Sequence, residues 1–115
     1  MFIFRDTLKN TEAYAAMSPA DMQADMEKWG AWMNGLAQKG KLVGGQPLGA
    51  AGKVVKGTSN KITDGPYIEG KDIVGGYLLI KAADFKDAVE LSKGCPALAN
   101  AEGTVEVREI LPMGM

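Results

Sequence analysis

Apolar and polar positions follow two different periods along the chain, which predicts a mixture of helices and strands. Between Met22 and Leu36, apolar residues recur every three or four positions, as they do on one face of an α-helix. Ser18-Pro19 precedes this stretch and is typical of a helix start, because the serine hydroxyl accepts hydrogen bonds from free backbone N–H groups. Asp84 occupies the same capping position before a second, shorter helical pattern. The sequence therefore predicts two helices.

Four strands are predicted around these helices. Ile73–Ile80 is rich in β-branched and aromatic residues and is apolar on both faces, which is typical of a central strand. Strict alternation places its odd-numbered residues, Ile73 and Tyr77 among them, on one face. The other three strands are predicted at Phe2–Arg5, within the glycine-interrupted residues 41–57, and at Thr104–Ile110.

The order of these elements predicts one α+β domain covering residues 1–115. A chain of 115 residues suits a single core. Residues 6–17 show no clear periodicity and are predicted to form a loop with at most one helical turn. Two β-α-β halves with right-handed crossovers then give a ferredoxin-like βαββαβ sandwich, with a four-stranded antiparallel sheet and both helices on one face.

Charge and composition indicate which binding partners and which cellular compartment to expect. Thirteen basic and fourteen acidic residues give a net charge of −1, and neither sign is concentrated in a run. Nucleic acid and anionic membranes, which need a basic surface, are therefore not expected partners. No apolar run approaches the roughly 20 residues of a membrane-spanning helix. The single cysteine, Cys95, excludes an internal disulfide, and the N-terminus lacks a signal-peptide pattern, so we expect a cytoplasmic protein.

The sequence contains no histidine, which restricts the chemistry available to it. Histidine is the commonest general base and the commonest transition-metal ligand. With only one cysteine besides, we expect neither a metal site nor a cofactor. Hydrolysis by a Ser-His-Asp or Cys-His arrangement within this chain is excluded.

Two charged residues are the first candidates for a functional site. Asp64, in the segment Asp64-Gly65-Pro66, is typical of a turn, because aspartate, glycine and proline each favour turn geometry. The same carboxylate is also a candidate general base or ligand-binding group, and the sequence leaves both interpretations open. Arg5, at the end of the first predicted strand, either forms a salt bridge, with Asp64 as one possible partner, or binds an anionic ligand through its planar guanidinium.

Three aromatic residues complete the candidate binding site. Trp29 lies on the apolar stripe of the first helix, where it is either part of the core or the wall of a cleft. Tyr67 and Tyr77 each add a hydroxyl group that can donate a hydrogen bond to a bound carbonyl or carboxylate.

The stretch from Asp64 to Ile110 contains D-G-P, G-G-Y, a helix followed by Cys-Pro, and a V-E-V-R strand. In this combination it resembles the YCII-related family, in particular the branch named for a D-G-P-F motif. Tyr67 stands where that motif has phenylalanine. The resemblance implies a ferredoxin-like fold that dimerises through its sheet, forming an α+β barrel with a cleft near the subunit boundary.

The resemblance also connects the chain with small-molecule chemistry, including dehydrochlorination in the wider superfamily by a proposed His-Asp pair. Asp64 aligns with the motif aspartate, whereas the histidine has no counterpart. We therefore expect a homodimer that binds a small organic molecule near Asp64. Two alternatives stay open: a lyase or isomerase with Asp64 as base and Tyr67 or Arg5 stabilising developing charge, and a regulatory interaction protein linked to transcription.

Overall fold

The computed structural model of the chain describes residues 1–66 and 72–113. Its elements in chain order are β1 (Phe2–Thr7), α1 (Leu8–Ala15), α2 (Pro19–Gln38), β2 (Leu42–Pro47), β3 (Gly52–Lys56), β4 (Lys61–Gly65), β5 (Asp72–Ile80), α3 (Phe85–Ser92), a 3₁₀ helix (Pro96–Ala99) and β6 (Thr104–Val107). None of the described helices is long and apolar enough to cross a membrane.

Strands β1, β2, β5 and β6 form one antiparallel sheet, in the spatial order β2-β5-β1-β6. The central strands are β1 and β5, whose register pairs Phe2 with Leu78. On its other side, β1 pairs with β6, and Phe2 lies opposite Val107. With α1, β3 and β4 set aside, the elements follow the predicted β-α-β-β-α-β order. The expectation of an α+β fold with a four-stranded antiparallel sheet is therefore confirmed.

Strands β3 and β4 form a separate two-stranded hairpin instead of joining this sheet. The prediction of one interrupted strand within residues 41–57 is therefore wrong, since β2 ends at Pro47 and β3 begins at Gly52 in another sheet. The hairpin reverses where Gly57 and Asn60 have φ angles of 73° and 55°. These angles lie in the left-handed region, which glycine and asparagine tolerate better than other residues.

The segment Asp64-Gly65-Pro66, predicted as a turn, continues β4 as far as Gly65. Asp64 lies directly opposite Lys53 on β3. An added Cβ at Gly65 would lie 3.1 Å from Cγ2 of Val54, so this glycine allows close approach of the two strands. The Gly65–Pro66 peptide bond is cis. The turn interpretation is corrected accordingly, because pairing with β3 decides the conformation here.

Helix α1 replaces most of the loop predicted for residues 6–17. Its start is capped by Thr7, whose hydroxyl oxygen accepts a hydrogen bond from the Asn10 backbone N–H at 3.1 Å. The Asn10 side chain also donates to Asp6 Oδ1 at 2.9 Å. No residue of α1 is fully buried. Its helical form therefore depends on local capping, and it lacks the apolar stripe by which sequence analysis recognises a helix.

The core lies between the central strands and two helices. Phe2 of β1, Leu36 of α2, Leu78 of β5 and Ala88 of α3 form one buried cluster. Because this cluster draws on both helices, α2 and α3 cover the same face of the sheet. Phe2 is fully buried, and its ring stacks on Trp32 at 6.1 Å between centroids. We call the opposite face of the sheet the open face.

A β-bulge in β5 changes which side chains share a face. The pairing of β5 with β1 skips Gly75, so the alternation of side chains reverses there. Ile73 therefore lies on the side of the helices and is only 2% exposed, whereas Val74 pairs with Arg5 on the open face. The predicted grouping of Ile73 with Tyr77 is wrong for this reason.

Helix α2 contains two glycines, Gly30 and Gly35, which have low helix propensity. An added Cβ at Gly30 or Gly35 would meet no described atom within 4 Å, so close packing against the sheet does not explain either glycine. We expect Gly35→Ala to raise the free energy of unfolding by about 0.5–1 kcal/mol, because alanine has the higher helix propensity. Urea unfolding at fixed protein concentration measures this change.

The control for Gly35→Ala is Gly40→Ala, just past the end of the same helix. Gly40 has a φ of 70°, which strains any residue with a Cβ, so this substitution should be destabilising. A loss of stability in Gly35→Ala as well would contradict the prediction.

Candidate functional site

Asp64 lies on the hairpin and forms an ion pair with Lys53 of the neighbouring strand. The two side chains are 87% and 68% exposed, so water screens the pair, and such surface pairs contribute about 0–1 kcal/mol. Within the part of a single chain that the structure describes, no apolar cleft encloses Asp64.

The side of the hairpin that carries Asp64 is also apolar. Val55 and Ile62 lie opposite each other, two positions along the strands from the Lys53–Asp64 pair. Residues two apart in a strand share a face, so all four side chains are on the same side of the hairpin. Val55 and Ile62 are 61% and 66% exposed. The ion pair thus lies beside an uncovered apolar pair, which we call the hairpin face.

Arg5 lies on the open face and pairs with Glu106 of β6. The guanidinium Nε donates to Glu106 Oε1 at 3.2 Å, and the side chains are 27% and 40% exposed. Glu106 Oε2 also lies 3.9 Å from Nε of Arg108. The carboxylate partner of Arg5 in this chain is therefore Glu106, and the structure does not bring Arg5 and Asp64 together.

Tyr77 is on the same open face as Arg5. Ile3 lies between Arg5 and Tyr77. It pairs with Tyr77 of β5 on one side, and on the other side with Glu106 of β6, the partner of Arg5. The Tyr77 hydroxyl donates a long hydrogen bond to Gln46 Oε1 at 3.4 Å. The open face is defined by six partly exposed side chains: Ile3, Arg5, Val74, Tyr77, Leu79 and Glu106. Gln46 and Thr104, which are exposed, lie on the same face opposite Tyr77 and Arg5. The centre of the face is therefore apolar, whereas polar side chains and the Arg5–Glu106 ion pair lie towards its edges.

Trp29 lies on the helix side of the sheet, away from the other candidates. Its ring meets the edge of Phe4 at 5.0 Å and of Trp32 at 5.8 Å between centroids. Such edge-to-face contacts stabilise packed aromatic clusters. Of the two interpretations of Trp29, the structure therefore supports core packing. Tyr67, the remaining candidate, lies outside the described residues.

A polar contact between α1 and α2 escaped the sequence analysis. Partial burial and the nearby charge of Asp25 raise the pKa of Tyr14 above its ordinary value of 10.0, so this hydroxyl stays protonated at neutral pH. Asp25 Oδ2 is buried without a hydrogen-bond partner among the described residues. Neither residue belongs to an apolar stripe, so no periodicity in the sequence indicates the contact.

A groove of about 760 Å³ lies between α2 and the segment 94–99. Its lining includes Lys28 and Trp32 on α2, and Cys95, Pro96 and Leu98 across from them. Cys95 is only 3% exposed, and burial raises the pKa of its thiol to about 11. A thiol with such a pKa is a poor nucleophile at neutral pH.

The groove could not be recognised from the sequence, because its two walls are far apart along the chain. Metal binding receives no support from the described residues, where no three histidine, cysteine, aspartate or glutamate side chains come together.

The fold defines a small α+β protein whose antiparallel sheet is covered by helices on one face and open on the other. The sequence model of the YCII-related domain matches residues 6–114, and the chain belongs to this family. No curated protein matches the chain significantly.

Proposed function

We propose that this YCII-related protein is a homodimer that binds a small organic molecule next to Asp64, in a cleft completed by the second copy. The observation that carries the proposal is the open face of the sheet. Ile3, Val74, Tyr77 and Leu79 are apolar or aromatic and only partly exposed there, while α2 and α3 occupy the other side.

A sheet face with an apolar centre is normally covered by another layer of structure. A sheet that faces water instead carries polar side chains at alternate positions. A second copy is the simplest cover, because the same face on both copies can meet across a twofold axis. Two sheets packed in this way lie about 10 Å apart and give the α+β barrel arrangement.

The hairpin supports a role for the second copy at Asp64. An isolated two-stranded hairpin is marginally stable in water and gains stability when a partner covers an apolar face. On the hairpin face, a partner can cover the exposed side chains of Val55 and Ile62, which lie beside the Lys53–Asp64 ion pair. A partner that covers this face encloses Asp64 as well, which would create a cleft that the described residues of one chain do not form.

The polar groups nearest to the dimer interface suggest what is bound. Arg5 and Tyr77 provide hydrogen-bond donors on the open face, and Lys53 and Asp64 provide one charge of each sign on the hairpin. A small molecule with a carbonyl or carboxylate group and an apolar body matches this set. The alternative is catalysis with Asp64 as the base, and it depends on the same interface. A carboxylate pKa is raised when water is excluded, and the second copy would exclude water from Asp64.

The dimer is tested by placing a charge on the open face. We expect the wild type to have twice the 12.2 kDa mass of the chain and Leu79→Glu to have the monomer mass, since the new carboxylate would be buried against apolar groups. Light scattering coupled to size exclusion measures both. Phe85→Glu is the control, because Phe85 is 55% exposed on α3, away from the open face. A monomeric wild type would overturn the proposal.

Ligand binding is tested by a thermal-shift screen of small carboxylates and carbonyl compounds. Compounds that stabilise the wild type should lose their effect with Asp64→Asn and with Leu79→Glu. Equal increases in melting temperature in all three proteins would show that the ligand binds away from Asp64 and the dimer interface. Conversion of such a compound by the wild type, abolished in Asp64→Asn, would identify the enzyme alternative in place of simple binding.

A further inference from the structure

We propose that the groove between α2 and the segment 94–99 is a second binding site, which accepts an aryl or alkyl carboxylate. It lies on the helix side of the sheet, remote from the open face that the proposed dimer uses. The groove is shallow and wide, so a ligand would lie along its wall with one side in contact with solvent.

Trp32 provides a rigid aromatic wall for the apolar part of such a ligand. It stacks on Phe2 at 6.1 Å with an interplanar angle of 24°, and meets Trp29 edge to face at 5.8 Å. Neighbours on two sides thus restrict its rotation before any ligand arrives, and preorganisation of this kind favours binding. Across the groove, Leu98 is 43% exposed and adds apolar surface that a ligand would remove from water.

Lys28 determines the charge of the ligand. It is the charged side chain in the groove lining, and it forms no ion pair with the described residues. Lys28 and Trp32 are four residues apart in α2, so their Cβ atoms are about 5–6 Å from each other on the same face of the helix. A ligand that reaches both groups carries its carboxylate a few bonds away from its apolar body.

Cys95 restricts the groove to reversible binding. The thiol is protonated at neutral pH because burial raises its pKa to about 11, so it does not attack a bound molecule. Its 3% exposure makes it part of the packed base of the groove. The site therefore holds its ligand by charge and apolar contact alone.

The experiment compares 4-phenylbutyrate with 4-phenylbutyramide, which has the same phenylpropyl body and a neutral amide in place of the carboxylate. Amide chemical shifts of the ¹⁵N-labelled protein report where each probe binds. We expect 4-phenylbutyrate to cause saturable shifts at residues 28–32 and 94–99, and to bind about three- to fivefold more tightly than the amide, since an exposed ion pair contributes modestly. Equal affinities, or no saturable shifts at these residues, would overturn the proposal.

Variants of Lys28 and Lys93 distinguish a specific role of Lys28 from a general effect of net charge. Lys28→Met, which keeps an apolar stem, should weaken binding of 4-phenylbutyrate about three- to fivefold and leave the amide unaffected. Lys93→Met is the matched control, because Lys93 pairs with Glu90 and does not line the groove. Equal losses in both variants would show a general electrostatic effect and contradict the assignment.

Leu79→Glu distinguishes this site from the proposed dimer cleft. The groove is built from one chain, so 4-phenylbutyrate should cause the same shifts at residues 28–32 and 94–99 in this variant. Loss of these shifts in a folded Leu79→Glu protein would show that the groove depends on the dimer and would overturn its assignment as a separate site.

Discussion

Phe2→Ala is expected to lower the free energy of unfolding by about 3–5 kcal/mol, the largest effect of any substitution considered for this protein. Phe2 is fully buried, belongs to the central cluster with Leu36, Leu78 and Ala88, and stacks on Trp32. Its removal takes away apolar burial and leaves a cavity between the sheet and α2. A loss of this size is a large fraction of the roughly 5–15 kcal/mol that stabilises a typical domain.

Urea unfolding followed by tryptophan fluorescence measures the effect, because Trp32 stacks on Phe2 and lies beside the cavity. Protein concentration must be equal for all variants, since dimer formation would add to the apparent stability. Phe85→Ala is the control: it deletes the same atoms at a site that is 55% exposed, and should cost less than about 1 kcal/mol. Equal losses in the two variants would contradict the placement of Phe2 in the core.

Gly45→Ala is expected to destabilise the protein by up to about 3 kcal/mol through a clash between β2 and β5. An added Cβ would lie 2.4 Å from the Tyr77 carbonyl oxygen and 2.6 Å from Cδ1 of Leu78. The Tyr77 oxygen is part of the backbone and can move only if the two strands separate. We therefore expect faster amide hydrogen exchange along β2 as well as a lower urea midpoint.

Gly44→Ala, one position earlier in β2, is the matched control for Gly45→Ala. An added Cβ at Gly44 meets no described atom within 4 Å. The two variants have the same composition and differ only in which face of β2 the new methyl group occupies. Similar stabilities would mean that β2 does not pair with β5 in the observed register.

Helix starts were predictable from the sequence because they depend on nearby atoms. The Ser18 hydroxyl accepts a hydrogen bond from the Asp21 backbone N–H at 3.1 Å, and Asp84 Oδ1 accepts one from Asp87 at 2.8 Å, both as expected. The central strand was also predictable, since a short run rich in β-branched and aromatic residues and apolar on both faces is typical of a buried strand.

The candidate site was less predictable, because it depends on strand register. One bulge at Gly75 decides that Val74, and not Ile73, shares the open face with Arg5. Pairing of β1 with β6 gives Arg5 the carboxylate of Glu106 as its partner. These outcomes depend on residues about seventy to one hundred positions from Arg5, and no local pattern in the sequence encodes them.

At Asp64, a clear local pattern predicted the wrong conformation. Its neighbours Gly65 and Pro66 favour a turn, yet pairing with Lys53 extends a strand through this point. Cross-strand pairing and packing override local turn propensity here, as tertiary context commonly does for strands. The family was therefore recognisable from the combination of segments between Asp64 and Ile110, whereas the Asp64-Gly65-Pro66 motif was a poor guide to local conformation.

By itself, the sequence determined the α+β class, the capped starts of α2 and α3, the central position of β5, and a chemistry without histidine. These follow from residue type and short-range periodicity, which act within a few residues. Only the tertiary structure decided the separate hairpin, the two faces of the sheet, the partners of Arg5 and Asp64, and the groove beside Trp32. Each of these joins segments distant in the chain, so its physical cause is register and packing, which no single segment contains.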